Sequence, residues 1–182
     1  MKLKLNNVRL AFPVLFEAKT VNGEGKPAFS ASFLIDPADP QVKALNQAIE
    51  QVAKEKWGAK ADAILKQMRA QDKVALHDGD LKANYDGFPG NLYVSARATT
   101  RPLVIDKDKS PLTEQDGKPY AGCYVNASVE LWAQDNNYGK RINASLRGVQ
   151  FFKDGDAFAG GGAASEDEFD DIAEGATADD LV

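Results

Sequence analysis

Between residues 93 and 147 aromatic and cationic side chains recur at a spacing of two. Tyr93 and Arg97 share one face of a candidate strand, Tyr124 and Trp132 one face of another, and Arg141 and Arg147 one face of a third. Tyr138 and Lys140 fall at the turn between the last two strands, and Arg101 lies just past the first. A period of two puts such residues on a single side of a strand. Aromatic planes stack on bases for ~1–3 kcal/mol each and cations track phosphates, so this mixture suits a single-stranded nucleic acid without any directional base reader. The same residue types are also ordinary on a sheet face that meets water or is covered by helices.

Other chemistries have less to work with. Asp78, Asp80, Asp86, Asp106 and Asp108 could offer carboxylates to Mg2+, and a metal-dependent nuclease using Asp78, Asp80 and Asp106 is the main alternative reading. Asp beside Gly is turn chemistry first, however. A single cysteine and a single histidine form no zinc cluster and no Cys-His or Ser-His-Asp machinery. His77 reads as a surface-loop histidine, and Cys123, on the inward side of its strand, as a buried inert thiol. Neither G-x-x-x-x-G-K-[ST] nor G-x-G-x-x-G occurs, so no phosphate cradle for a nucleotide cofactor is present. The expectation is a binding protein with no catalytic residues, metal ligands or cofactor.

Charge divides the 182 residues in two. Residues 1–153 hold all 22 Lys and Arg but only 17 acids, whereas residues 154–182 hold ten acids and no base, which together give the net charge of −5. Glycine and alanine at 159–164 compose a flexible linker, and the segment after it is too charged and too poor in large apolar residues to order itself. The expected organisation is a body over 1–158 and a linker with a disordered acidic tail over 159–182. Glu166, Asp167, Glu168, Phe169, Asp170, Asp171, Asp179, Asp180, Leu181 and Val182 make the tail a candidate interaction segment, because its apolar punctuation exceeds what solubility needs. A virion or scaffold protein using such a tail for assembly is a second alternative. The longest apolar run, Leu10 to Phe16, is too short to cross a bilayer, and the N-terminus has no apolar signal region, so a cytoplasmic protein without a membrane partner is expected.

The elements that must position these residues follow from periodicity. Leu3, Leu5, Val8, Leu10 and Phe12 predict a first strand whose alternation slips at Asn6-Asn7, as a bulge would make it. A turn at 22–25 and alternation over 29–35 predict a second strand. Asp39 before Pro40 starts a helix that carries Leu45, Ile49 and Val52 on one stripe and ends at Gly58, and a second short helix covers about 60–69, a helical insertion over about 39–70. Residues 77–90 read as one long loop. Strands over 92–99, 123–132 and 141–147 complete the set. The prediction is a mainly β, α+β chain with five strands and a helical insertion, consistent with a small barrel.

Residues 8–17, which open Val8-Arg9-Leu10-Ala11-Phe12-Pro13, residues 29–35, His77-Asp78-Gly79-Asp80, residues 102–106, residues 120–129, which open Tyr120-Ala121-Gly122-Cys123-Tyr124, and residues 146–155, together with the acidic tail, form a recognisable set. In these segments the chain resembles a known family, the phage-encoded single-stranded-DNA-binding proteins with an OB fold. Lys140-Arg141 is more basic than the family pattern, the chain ends Leu181-Val182 where better-known phage proteins of similar plan end in an aromatic residue, and the helix follows strand two instead of strand three. The resemblance implies an OB-fold-like five-stranded barrel that binds and protects single-stranded DNA during phage replication or recombination, with no enzymatic activity. The polyanionic tail tethered to a basic body is expected to modulate DNA binding and to recruit replication proteins such as a polymerase, helicase or primase, and a homo-oligomer is left open.

Overall fold

A strand of twenty residues can be shared by two neighbours only if it bends, and the first strand is built to bend. In the computed structural model, which describes residues 1–21, 23–158, 170 and 172, β1 (Lys2–Val21) pairs with β6 (Tyr124–Asn136) through Lys2 to Arg9 and with β2 (Glu24–Ile35) through Arg9 to Val21. Its register slips between Leu5 and Val8, where Asn7 has φ +51°, and again between Ala11 and Val14, where Phe12 has φ +48°. Bulges of this kind bend a strand and re-aim its side chains. The slip at Asn6-Asn7 agrees with the sequence reading.

The remaining strands are β3 (Leu76–Asp78), β4 (Leu92–Ala98), β5 (Leu103–Ile105) and β7 (Gly139–Lys153). Hydrogen bonding orders the sheet β3-β4-β2-β1-β6-β7-β5. A parallel pairing of β4 with β7 at Arg97 and Ser145 closes the five long strands into a barrel of order β1-β2-β4-β7-β6. This is an OB-fold-like barrel, mainly β with a helical insertion. The short β3 and β5 flank it and correct the sequence reading, in which 77–90 is wholly loop and 103–105 has no element.

The inward face of each strand follows the alternation: Leu5, Val8, Leu10, Phe33, Ile35, Val94, Val125, Val129, Leu131 and Ile142 are all buried. Between β2 and β4, α1 (Pro40–Trp57) and α2 (Ala61–Ala70) add Leu45, Ile49, Val52, Leu65 and Met68 to the same core. The α1 boundaries have the expected causes. The Asp39 carboxylate accepts from the Gln41 amide at 2.9 Å, Pro40 needs no amide partner, and Gly58 leaves the helix at φ +56°. Cys123 is buried, and that burial pushes its thiol up to about 11, in keeping with an inert group.

A second, smaller apolar cluster lies outside the barrel: Ala11, Leu34, Phe88 and Tyr93, with Phe158 packed against it. The segment after β7 runs back over this face. Phe158 donates its amide to the Ala121 carbonyl at 3.0 Å, and the Arg9 guanidinium lies 4.3 Å from the Phe158 ring and donates to the Asp156 carbonyl. Of the tail residues Asp170 and Ile172 fall among the described ones, where both are exposed; the linker and the other tail residues lie outside them.

Candidate nucleic-acid interface

The outward faces of β2, β4 and β7 meet where the barrel closes, and their registers put small polar side chains side by side. Ser32 is opposite Ser95 with hydroxyls 3.4 Å apart, Ser30 is opposite Arg97, and Arg97 is opposite Ser145. Short side chains leave a floor low enough for a cleft of about 1440 Å3. One wall comes from the β6–β7 hairpin, which supplies Trp132, Tyr138 and Arg141; the start of β2 supplies Lys26, and the segment after α2 supplies Lys73. The far end is closed by Phe12, His77 and Lys82.

The hairpin wall is held from outside. The Trp57 indole at the end of α1 donates to the Asp135 carboxylate at 2.9 Å, and Lys140 lies 3.8 Å from the same group. That indole hydrogen bond, with Lys140 nearby, keeps the Asp135 carboxyl below the usual carboxylate range. At its base, Ile142 donates to the Lys73 carbonyl at 3.1 Å, tying the hairpin to the segment that presents Lys73. Tyr138 at the tip is 88% exposed and Trp132 43% exposed.

The electrostatics of the cleft run against those of the chain. Lys26, Lys73, Lys82, Arg97 and Arg141 line it, and among its described lining residues there is no Asp or Glu, although the whole protein carries −5. A concave surface lined by one sign of charge concentrates the opposite charge. Exposed aromatics and cations over a polar floor can take a polyanion with planar groups, as a single strand is.

Of the nine residues singled out from the strand pattern, Arg97, Trp132, Tyr138 and Arg141 come together in this cleft. Lys140 sits beside it but turns to Asp135. Arg101 donates to the Phe16 carbonyl at 2.8 Å, and Arg147 lies 3.8 Å from Glu130; neither lines the cleft. Tyr124 is at the other end of β6, half-buried with the Lys153 ammonium 4.7 Å and the Arg9 guanidinium 5.7 Å from its ring. Tyr93 corrects the expectation most clearly. It is on the outward face but only 4% exposed, because the His77 ring stacks on it at 4.9 Å and Phe88 packs edge-on at 5.0 Å. Nor do Tyr93 and Tyr124 belong to adjacent strands, since β7 lies between β4 and β6. His77 is likewise a strand residue and not a loop one, with Nδ1 2.6 Å from Asp72.

The loop carboxylates have structural work. Asp78 accepts from the Asp80 amide and Asp80 from the Gly90 amide, each at 2.9 Å. Asp106 pairs with Lys118 at 2.9 Å, and that hydrogen bond lowers its carboxyl below the ordinary range. Among the described residues no three His, Cys, Asp or Glu side chains group as metal ligands would. Lys26, Lys73, Lys82 and Phe12 escape the sequence reading, Lys73 and Lys82 because they lie outside the long strands, and Lys26 because it precedes the alternating stretch of β2.

In OB folds, oligonucleotides lie across the face of the second and third barrel strands and against the loops joining strands 1–2 and 4–5. Here those parts are β2, β4, the β1–β2 turn and the β6–β7 hairpin, which border the cleft. The family model described as the single-stranded-DNA-binding protein of Enterobacter phage Enc34 matches residues 1–182. The chain belongs to this family. Members of the Enc34 family are binding proteins and not enzymes. Protein p50 of Acyrthosiphon pisum secondary endosymbiont phage 1 is 54% identical over 175 residues, covering 94% of each chain. The single-stranded DNA-binding protein from bacteriophage Enc34, solved in complex with single-stranded DNA, superposes with a TM-score of 0.73 at 28% identity, covering 86% of this chain and 88% of that one. The single-stranded DNA-binding protein gp2.5 of bacteriophage T7 shares the fold, with a TM-score of 0.57 at 14% identity over 97% of this chain and 98% of its own.

Proposed function

We propose that the chain binds single-stranded DNA in this cleft without sequence preference, coating and protecting it during phage DNA replication or recombination in the host cytoplasm. The observation that carries the reading is the cleft itself, with five cations and no carboxylate among its described lining residues and with Trp132 and Tyr138 exposed on the OB-fold binding face. Arg97, Arg141, Lys26 and Lys73 take phosphates, and the two rings take bases. Binding the single strand in preference to the duplex pulls base-pairing equilibria toward melting by mass action, so no nucleotide hydrolysis is required.

Residues 1–158 form the binding unit and 159–182 a tethered polyanion. A tail joined through so few residues is held at an effective concentration in the millimolar range, enough for weak self-binding to compete with DNA. Exposed by DNA, the tail recruits a basic surface on a replication protein such as a polymerase, helicase or primase. Titrating labelled oligo-dT and a matched duplex, with and without Mg2+, tests the reading: retardation of the single strand supports it, and cleavage or equal duplex affinity overturns it. Deleting residues 160–182 tightens binding most at low salt, where screening is least; equal or weaker affinity overturns the tail's part.

A further inference from the structure

Strand alternation assigns Phe12 to the barrel core. Leu10, two residues earlier, points inward and is buried, and an unbroken β1 would send Phe12 after it. Instead the bulge between Ala11 and Val14 turns the residue over, so that a phenylalanine adopts φ +48° and its ring stands 47% exposed. For a bulky residue that backbone is a genuine outlier, and strain of this kind persists only where the surroundings impose it.

The surroundings are well made. The ring of Tyr85, 45% exposed, meets Phe12 edge-on at 5.0 Å, and the buried ring of Phe88 lies 5.7 Å away. The Lys82 ammonium is 5.8 Å from the Phe12 ring centroid. Both Tyr85 and Lys82 belong to the loop that Asp78 and Asp80 close, and Gly79 fits there because a Cβ would come within 2.0 Å of the Phe88 carbonyl oxygen. The strained ring and its cation therefore rest on a firm support.

Phe12 and Lys82 both line the cleft, across the β4–β2 floor from the β6–β7 hairpin that bears Trp132 and Tyr138. We infer that Phe12 is a stacking station for one unpaired base, with Lys82 on the neighbouring phosphate, and that a bound strand runs from the Trp132–Tyr138 station to the Phe12 station with fixed polarity. The inference rests on the single-strand reading above. Tyr85, Phe88 and Lys82 all approach Phe12, yet nearly half of the residue stays exposed to the cleft, which leaves surface for a base.

The test uses the full chain and the shortest oligo-dT that binds at full affinity, so that the strand cannot slide. A single abasic residue is stepped along it, and affinities are measured for the parent, Phe12→Leu and Trp132→Leu. The expected result is a loss of roughly 5- to 150-fold in the parent at two abasic positions, one toward each end. Phe12→Leu abolishes that sensitivity at one end alone, and Trp132→Leu abolishes it toward the other. Phe12→Gly, which suits a positive φ, melts no lower than Phe12→Leu and shows the same loss of end sensitivity. Unchanged affinity of Phe12→Leu, or a loss independent of the abasic position, overturns the inference and reduces the ring to an anchor for its loop. Failure of the parent to bind oligo-dT at all overturns the single-strand reading with it.

Discussion

Replacing Arg97 and Arg141 together by alanine removes two of the five cations that line the cleft while leaving its floor and aromatic wall in place. On single strands each neutralised phosphate contributes ~0.7 to the slope of log K against log[salt]. Five contacts thus give a slope of about −3.5 and three about −2. The same relation sets the affinity loss: at 0.1 M salt the two missing contacts cost about 1.4 decades, or about 25-fold, and the deficit shrinks toward nothing near 1 M. Arg147→Ala is the control, because that guanidinium lies 3.8 Å from Glu130 and outside the cleft. It should leave the slope unchanged, whereas a reading from strand alternation alone gives Arg147 and Arg97 the same effect. Fluorescence anisotropy of labelled oligo-dT at four salt concentrations measures all three proteins. An unaltered slope in the double variant, a loss that is constant across salt, or an equal change from Arg147→Ala would refute the assignment of phosphate contacts to this cleft.

Three further outcomes concern stability. Tyr93→Ala should lose about 3–5 kcal/mol in urea unfolding, the range for emptying a buried aromatic site, and parent-like stability would show that its ring is not load-sharing with Phe88 and His77. Cys123 should resist thiol reagents in the folded protein at pH 8 and react on unfolding. Because its folded pKa is raised from 9.0 to about 11, the stability it contributes is complete below pH 9 and declines as pH rises toward 11, which thermal melts at pH 8 and 10.5 would detect. Trp57→Phe withdraws the indole donor that lowers the Asp135 carboxyl. A lowered carboxylate stabilises the fold above its unfolded pKa and loses that contribution as pH falls through the folded value, so the variant should show a shallower acid limb of stability between pH 6 and 2.5. An identical limb would mean that the hairpin does not depend on this bond.

The parts of this molecule that show plainly in its sequence are those governed by local rules. Alternation marks the five long strands because each buries one face, and Asp39, Pro40 and Gly58 mark the ends of α1 because a helix terminus must satisfy its own amides and carbonyls. The cleft depends on things that alternation does not encode. Alternation says that Tyr93 faces outward, but only the course of the 79–91 loop decides that Phe88 covers it. It places Phe12 in the core, because a bulge that reverses a side chain is a tertiary solution to bending β1 around two partners. Tyr93 and Tyr124 lie on strands that follow one another in the sequence reading, whereas barrel closure puts β7 between them.

The same closure explains why the cationic surface is legible only in part. Arg97 and Arg141 announce themselves by parity, yet they share a cleft because β4 meets β7 in parallel at Arg97 and Ser145, a long-range pairing. Lys26 and Lys73 have no periodic signal at all. The hairpin base brings Lys73 in through its carbonyl bond to Ile142, and the start of β2 brings Lys26, whose carbonyl lies 3.3 Å from the Arg97 guanidinium. A chain with a surplus of acid can therefore present a polyanion site without any local run of basic residues: the fold gathers lysines and arginines from separate segments around a floor of serines, and leaves the carboxylates to loop turns and to partners such as Trp57 and Lys118. The observable consequence is that moving the cleft's charges changes salt dependence strongly, while moving an equal number of charges elsewhere on the body does so weakly.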